Sequence, residues 1–242
     1  MFDVPTLKIK ARSGVYATGQ ERVVRILETA VDILIHQGYQ AVTLREIARR
    51  MGIRVSAINH YYSSRDDLML DVLTGVLASY EEFFEEFRAP ADQPPEARLR
   101  AFMGAVIDDI LTLKTTGLFP ELWALAGRDA KVAQMVDAIY IRSRVISKRF
   151  IAAMNPALDA RTLENLALFI TASMEGLTVF AGHGKPWAGE MGRLKALACD
   201  GLVAAIKAAR PDPAPDPDWR APTLLAPDDY ARLIEMEDTS AG

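Results

Sequence analysis

Arg45 and Arg49, then Arg54, Ser56, Ala57, Asn59 and His60, fall where a helical reading of residues 43–62 turns them away from the apolar positions. Short helices that project Arg, Ser, Asn and His carry the groups that read a DNA major groove. There Arg pairs with guanine through two donors and Asn with adenine, while hydroxyls and backbone amides hold phosphates. The competing reading is an ordinary solvated face on a small helical domain.

The elements that must position these groups lie within Thr43–Leu68, TLREIARRMGIRVSAINHYYSSRDDL. Thr43 followed by Glu46 is a capping-box pattern, in which the hydroxyl accepts from the amide three residues on and the carboxylate reaches back. Leu44, Ile47, Ala48 and Met51 recur at helical spacing, and Gly52 is a usual helix stop. Val55, Ile58 and Tyr61 or Tyr62 make a second small apolar face after the turn. A helix, a short turn with glycine and a second helix is the helix-turn-helix layout. Upstream, the spacing predicts a helix over 20–37, with Val23, Ile26, Leu27, Ala30, Ile33 and Leu34 on one face and Gly38 after it. This helix is the expected support for the two short ones, and His36 adds favourable charge near its C-terminus.

Charge is distributed to match. Residues 1–65 hold 10 Lys/Arg against 5 Asp/Glu, and the remaining 177 hold 18 against 27, within an overall net charge of −4. A basic N-terminal section on an acidic body implies that one end meets a polyanion. The single cysteine, Cys199, excludes an intrachain disulfide framework. There is no G-x-S-x-G elbow, no phosphate-binding glycine loop and no His pair at metal spacing, and the expectation is a protein without enzyme activity, cofactor or metal. Asp108 and Asp109 are adjacent, so a helix splays them about 100° apart, a poor geometry for shared acid–base work. The N-terminus lacks an apolar run of signal-peptide length, and Glu175 interrupts the most apolar segment, so no membrane span and a cytoplasmic location are expected.

The rest of the chain reads as helices: Arg65 to about Arg88, a Pro-rich break over 89–95, Glu96–Thr115, a break at Gly117, and a short helix from Pro120 to Ala126. Lys131–Met154, Asp159–Gly182 and Trp187–Ala209 follow. No strand alternation appears, so the fold class is all-α. Residues 211–227 hold six of the thirteen prolines and read as an extended linker. Asp228–Met236 is a candidate short amphipathic helix, and from 211 onward eight acidic residues face two Arg. The expected organisation is a flexible basic leader (1–18), a helix-turn-helix domain (19–64), a helical ligand-binding and dimerisation domain (65–210) and a Pro-rich acidic tail (211–242).

Residues 20–70 resemble the N-terminal DNA-binding domain of TetR-family transcriptional regulators. The matching features are the first helix ending in Gly38-Tyr39, the run Thr43-Leu44-Arg45-Glu46-Ile47-Ala48, then Met51-Gly52-Ile53, and Tyr61-Tyr62-x-x-Arg65-x-x-Leu68. The last resembles the family's aromatic-aromatic-x-x-Lys-x-x-Leu. The resemblance implies that Thr43 is a cap and phosphate contact and that Arg45 occupies a position reaching a base in some members. It makes 54–60 the recognition helix, and it places Arg65 where the family has a phosphate-binding lysine. The implied DNA contacts are thus Thr43, Arg45, Arg54, Ser56, Ala57, Asn59, His60, Tyr61 and Arg65. Three positions depart from the pattern. Arg54 stands where Ser or Thr usually caps the recognition helix, Asn59 replaces a phosphate-contacting tyrosine, and Tyr62 replaces phenylalanine.

A helix-turn-helix that reads a two-fold operator needs a dimer. Phe169, Ile170, Leu177 and Phe180, with Leu194, Leu197, Leu202 and Ile206, exceed what one buried face requires, and the resemblance implies that the last two long helices pair into a four-helix bundle. It also implies a sensor cavity, for which Phe83, Phe87, Met103, Ile107, Phe119, Trp123, Met135, Tyr140, Ser173 and Met174 are the candidates; ordinary core packing is the alternative for these residues. The implied function is a ligand-responsive repressor that binds a palindromic operator on double-stranded DNA as a homodimer and is released by a small apolar or amphipathic effector. The alternative is an all-helical ligand-binding or enzymatic protein in which the N-terminal motif is only a packing unit.

Overall fold

The structure is a computed structural model that describes residues 17–88, 92–216 and 218–239. The described residues contain α-helices, two short 3-10 turns and no strand, as the periodicity predicts. The basic leader expected over 1–18 lies almost wholly outside the described residues. The described residues fall into two units: those up to Phe83 with Gly117–Val136, and those from Phe84 to Thr116 with those from Asp137.

In the first unit, α1 (Ala17–Gln37) begins three residues before the predicted start. Its buried face is Val23, Ile26, Leu27, Ala30, Val31, Ile33 and Leu34. Gly38, at φ 78°, turns the chain into a 3-10 turn over Tyr39–Ala41. α2 (Leu44–Met51) is capped by Thr43, whose Oγ1 accepts the Glu46 N–H at 3.1 Å. Gly52 ends it in the left-handed region at φ 66°, conformational space that a side chain disfavours. α3 (Val55–Asn59) is a single short helix, and α4 (Arg65–Arg88) starts where Ser64 Oγ accepts the Asp67 N–H at 3.1 Å.

Two boundaries differ from the sequence reading. α5 (Pro95–Ile110) stops before Thr115, and α6 (Leu113–Ala126) runs straight through Gly117 and Pro120. The break falls at Leu111–Thr112 because Thr112 Oγ1 accepts the Thr115 N–H at 3.2 Å and so caps α6. Gly117 does not break the helix. A Cβ there would lie 2.8 Å from the Ile35 carbonyl oxygen, so the glycine lets α6 touch the end of α1 within the first unit. Pro120 costs one ladder hydrogen bond and is tolerated.

The second unit is built on α5, α8 (Ala160–Ala181) and α9 (Met191–Ala208), which pack on one another, with the greater part of α7 (Ala130–Met154). Asp159 caps α8 through the Thr162 amide. α9 begins later than Trp187 because Ala188–Glu190 is a 3-10 turn. α8 is long and apolar enough to cross a membrane by length and composition, so Glu175 alone does not remove it from that class. The described residues between 211 and 226 form no helix and are tied down: Asp159 Oδ2 accepts the Asp212 N–H at 2.8 Å, and Asp137 Oδ2 accepts from Thr223 Oγ1 and the Leu224 N–H. The predicted terminal helix is α10 (Pro227–Thr239), anchored by buried Leu233.

Candidate nucleic-acid interface

The α2–turn–α3 segment buries Ile47, Ala48 and Ile58 and leaves Thr43, Arg45, Arg49, Arg54, Ser56, Asn59 and His60 exposed. Ala57 and Tyr61 are half-buried, and the choice left open between the tyrosines resolves to Tyr62, which is buried and donates its hydroxyl to Asp71 Oδ2 at 2.9 Å. Arg45 and Arg54 have no hydrogen-bond or ionic partner among the described residues, so their guanidinium groups remain available to a ligand. Arg54 sits in the cap position of α3 without a side-chain bond to the helix, and its carbonyl accepts the Ala57 N–H at 2.9 Å.

Glu46 does not close the capping box from its side. Its carboxylate takes Arg49 through two bonds of 2.6 and 2.7 Å and Arg50 at 3.2 Å. The Arg49 hydrogen bonds hold the Glu46 carboxyl down at about 2. Arg50 also bonds Asp32 on α1, which pins α2 against its support. Of the outward arginines, Arg49 is therefore paired at the surface with Glu46, whereas Arg45 has no partner among the described residues.

Arg65 is placed by Tyr39, which the sequence marked only as part of the Gly38-Tyr39 end of the first helix. Its guanidinium lies over the Tyr39 ring, 3.6 Å from the centroid, while its Nε and Nη2 are closed off from solvent and have no hydrogen-bond partner. Tyr39 is held in turn: its N–H donates to Glu121 Oε2 of α6 at 2.9 Å. A cleft of about 500 Å³ opens beside Tyr39 in the same unit, lined by Met69, Leu70 and Leu73 of α4 and by residues 125 and 128–132. None of the sequence-predicted ligand residues lines it.

Those residues divide between the two units. In the first, Phe83 and Phe119 are buried, Phe119 meets Tyr80 edge to face, and Trp123 and Met135 are half-buried. In the second, Phe87 packs on Phe102, Met103, Ile107 and Met174 are buried, and Tyr140 hydrogen-bonds Glu175. Ser173 turns its hydroxyl back to the Phe169 carbonyl at 2.7 Å on the exposed side of α8.

The expected pairing residues also separate. Ile170, Leu202 and Ile206 are buried within the monomer, where one helix face of each of α8 and α9 closes the unit. Leu177 and Leu194 are half-buried. Phe169, Phe180 (64% exposed) and Leu197 (71%) stand free, joined by Leu168 and Val179, which sequence reasoning missed. Gly176, Gly192 and Gly201 have no other atom within 4 Å of where a Cβ would stand.

A capped helix, a left-handed glycine turn and a short second helix with an exposed polar and cationic face define a helix-turn-helix DNA-binding domain. Residues 26–72 match the model of the family described as bacterial regulatory proteins, tetR family. The N-terminal domain is therefore a TetR-family DNA-binding domain. It is 22% identical over 157 residues to the transcriptional regulator BetI of Burkholderia ambifaria, spanning 64% of this chain and 79% of that protein. It is 28% identical over 122 residues to the regulator Rv2912c of Mycobacterium tuberculosis, spanning 50% and 60%. Among solved structures it is similar to a regulator from Pseudomonas aeruginosa PAO1 (TM-score 0.64, 19% identity, 81% of this chain and 94% of that one). It is also similar to one from Saccharomonospora viridis in complex with choline (TM-score 0.60, 20% identity, 78% and 96%).

Proposed function

We propose that the protein is a cytoplasmic, ligand-responsive repressor that binds a palindromic operator as a homodimer and leaves it when a small molecule enters the helical body. The observation that carries the DNA reading is the set of cationic groups on one motif that no acidic side chain neutralises among the described residues: Arg45 and Arg54, both exposed, and Arg65 stacked on Tyr39. Nη1 is the one terminal nitrogen of Arg65 outside the sealed set, and a phosphate oxygen can meet the guanidinium at that end. Thr43, Ser56, Asn59 and His60 then provide further contacts to backbone and bases.

The free apolar face of α8 and α9 supports the dimer. Phe169, Phe180 and Leu197, with Leu168 and Val179, are large apolar side chains left exposed along α8 and α9, and glycines at open positions let a second pair of helices approach closely. The effector, read as apolar or amphipathic, shifts the equilibrium only if it binds the two arrangements of the DNA-binding domains unequally.

The test is a mobility shift with the DNA that flanks the protein's own gene. Binding that weakens steeply with salt, and that is lost with Arg45→Ala or Arg65→Ala, supports the reading. Protein refolded from denaturant that ignores every such fragment at low salt would overturn it.

A further inference from the structure

Several polar groups in the second unit take no part in DNA binding or in the pairing face. Glu175 Oε2 and Thr178 Oγ1 are both sealed from solvent and have no hydrogen-bond partner. Thr178 is 1% exposed, and the two residues stand three apart on α8, so they share a face. Tyr140 of α7 bonds Glu175, and Asp109 of α5, 7% exposed, lies close enough to act on its charge. Asp109 itself accepts the Thr115 hydroxyl at 2.7 Å through Oδ2. Lys114 is a further charged group beside Asp109; burial lowers its pKa and the charge of Asp109 works the other way.

With both acids ionised the set carries two negative charges against one ammonium. Burial pushes Glu175 up to about 7, the charge of Asp109 adds to that push, and the Tyr140 hydrogen bond opposes it. Burying one carboxyl oxygen and one hydroxyl without partners is unfavourable, so the presence of both on one helix face needs a reason. A metal is a poor occupant, because no cluster of three or more metal-binding side chains occurs among the described residues. An anion would meet surplus negative charge. The unmet acceptor of Glu175 and the unmet hydroxyl of Thr178 call for positive charge carried on N–H donors.

We propose that Glu175 and Thr178, with Asp109 and Tyr140 beside them, hold a small protonated amine, its N–H groups bonding Glu175 Oε2 and Thr178 Oγ1 and its alkyl chain among the buried apolar side chains of the same unit. That this amine is also the effector rests on the repressor reading above; the site itself does not. A quaternary ammonium carries the charge but no N–H, and a neutral alcohol carries neither the charge nor the N–H donors.

The experiment melts the full chain with n-hexylammonium, trimethyl-n-hexylammonium or n-hexanol, and measures affinity by calorimetry. The expected result is stabilisation by n-hexylammonium well above the other two, binding at least about tenfold weaker in Glu175→Gln, and a smaller loss in Thr178→Val. If a substitution unfolds the chain, the wild type still decides. Binding at pH 7 should release about half a proton, seen as a dependence of the heat on buffer ionisation, because the amine draws Glu175 into its charged form. Equal stabilisation by all three compounds, no binding by any, or full affinity in folded Glu175→Gln overturns the proposal. A mobility shift without amine tests the repressor reading separately: amine binding with no DNA binding leaves the site standing and removes the regulator.

Discussion

The Arg65 guanidinium rests on the Tyr39 ring at 3.6 Å, with two of its nitrogens sealed and partnerless. The stack fixes the direction of a cation that otherwise has many rotamers, and an Arg, unlike a Lys, can both stack and offer two donors to phosphate. Tyr39 is itself fixed by the Glu121 carboxylate and by the left-handed Gly38. Arg65→Ala should weaken operator binding and lower the slope of log affinity against log salt by about 1, the amount expected for one lost phosphate contact. Tyr39→Leu should weaken binding while leaving that slope nearly intact, since the charge remains. Fluorescence anisotropy over a salt series reads both. An Arg65→Ala slope equal to wild type would place Arg65 off the phosphate backbone.

Much of this arrangement is legible in the sequence, for identifiable reasons. The Thr43 cap and the Gly52 stop are local, set by atoms within four residues, and both stand where the spacing puts them. The Tyr39–Arg65 stack joins residues 26 apart, and no period or motif marks it. Gly117 was misleading because a glycine that ends a helix and one that admits a neighbouring backbone look alike until the neighbour, Ile35, is known. Likewise Ile206 and Leu197 are both apolar residues on α9; one is buried and the other exposed, and only the packing of α5 and α8 separates them.

Gly117→Ala should destabilise the first unit. At an exposed helix site this change gains up to about 1 kcal/mol in propensity. Here the new methyl would meet the Ile35 carbonyl oxygen at 2.8 Å and Ile35 Cγ2 at 3.0 Å, so the sign reverses. A loss of about 1–3 kcal/mol is expected from the forced shift. Urea unfolding of the variant checks it, and a midpoint at or above wild type would show that α6 can move aside without cost.

The chain should behave as a dimer of roughly twice its 26.7 kDa mass. Phe180→Asp and Leu197→Asp each place a charge on the free apolar face and should give folded monomers, since neither side chain contributes to the buried core. Far-ultraviolet circular dichroism should be unchanged while light scattering halves the mass and operator affinity falls. A dimer that survives both substitutions would move the interface off α8 and α9.

Glu175 gives the stability of the chain a pH dependence whose sign follows from its raised pKa. The folded protein holds this proton up to about 7, against an ordinary value of 4.5. Between those values the folded state binds more protons than the unfolded one, so stability falls as pH rises through the window and levels off above it. The shift corresponds to at most about 3 kcal/mol, at 1.36 kcal/mol per pKa unit. Glu175→Gln removes the titration while keeping an acceptor for Tyr140, so the variant should gain on wild type between pH 5 and pH 8 by up to that amount. Urea melts of both proteins at pH 5, 6, 7 and 8, without added amine, measure the difference directly. Parallel curves across the series would mean that Glu175 ionises in the folded protein at its ordinary pH, and that neither burial nor Asp109 weighs on it as the packing of the second unit implies.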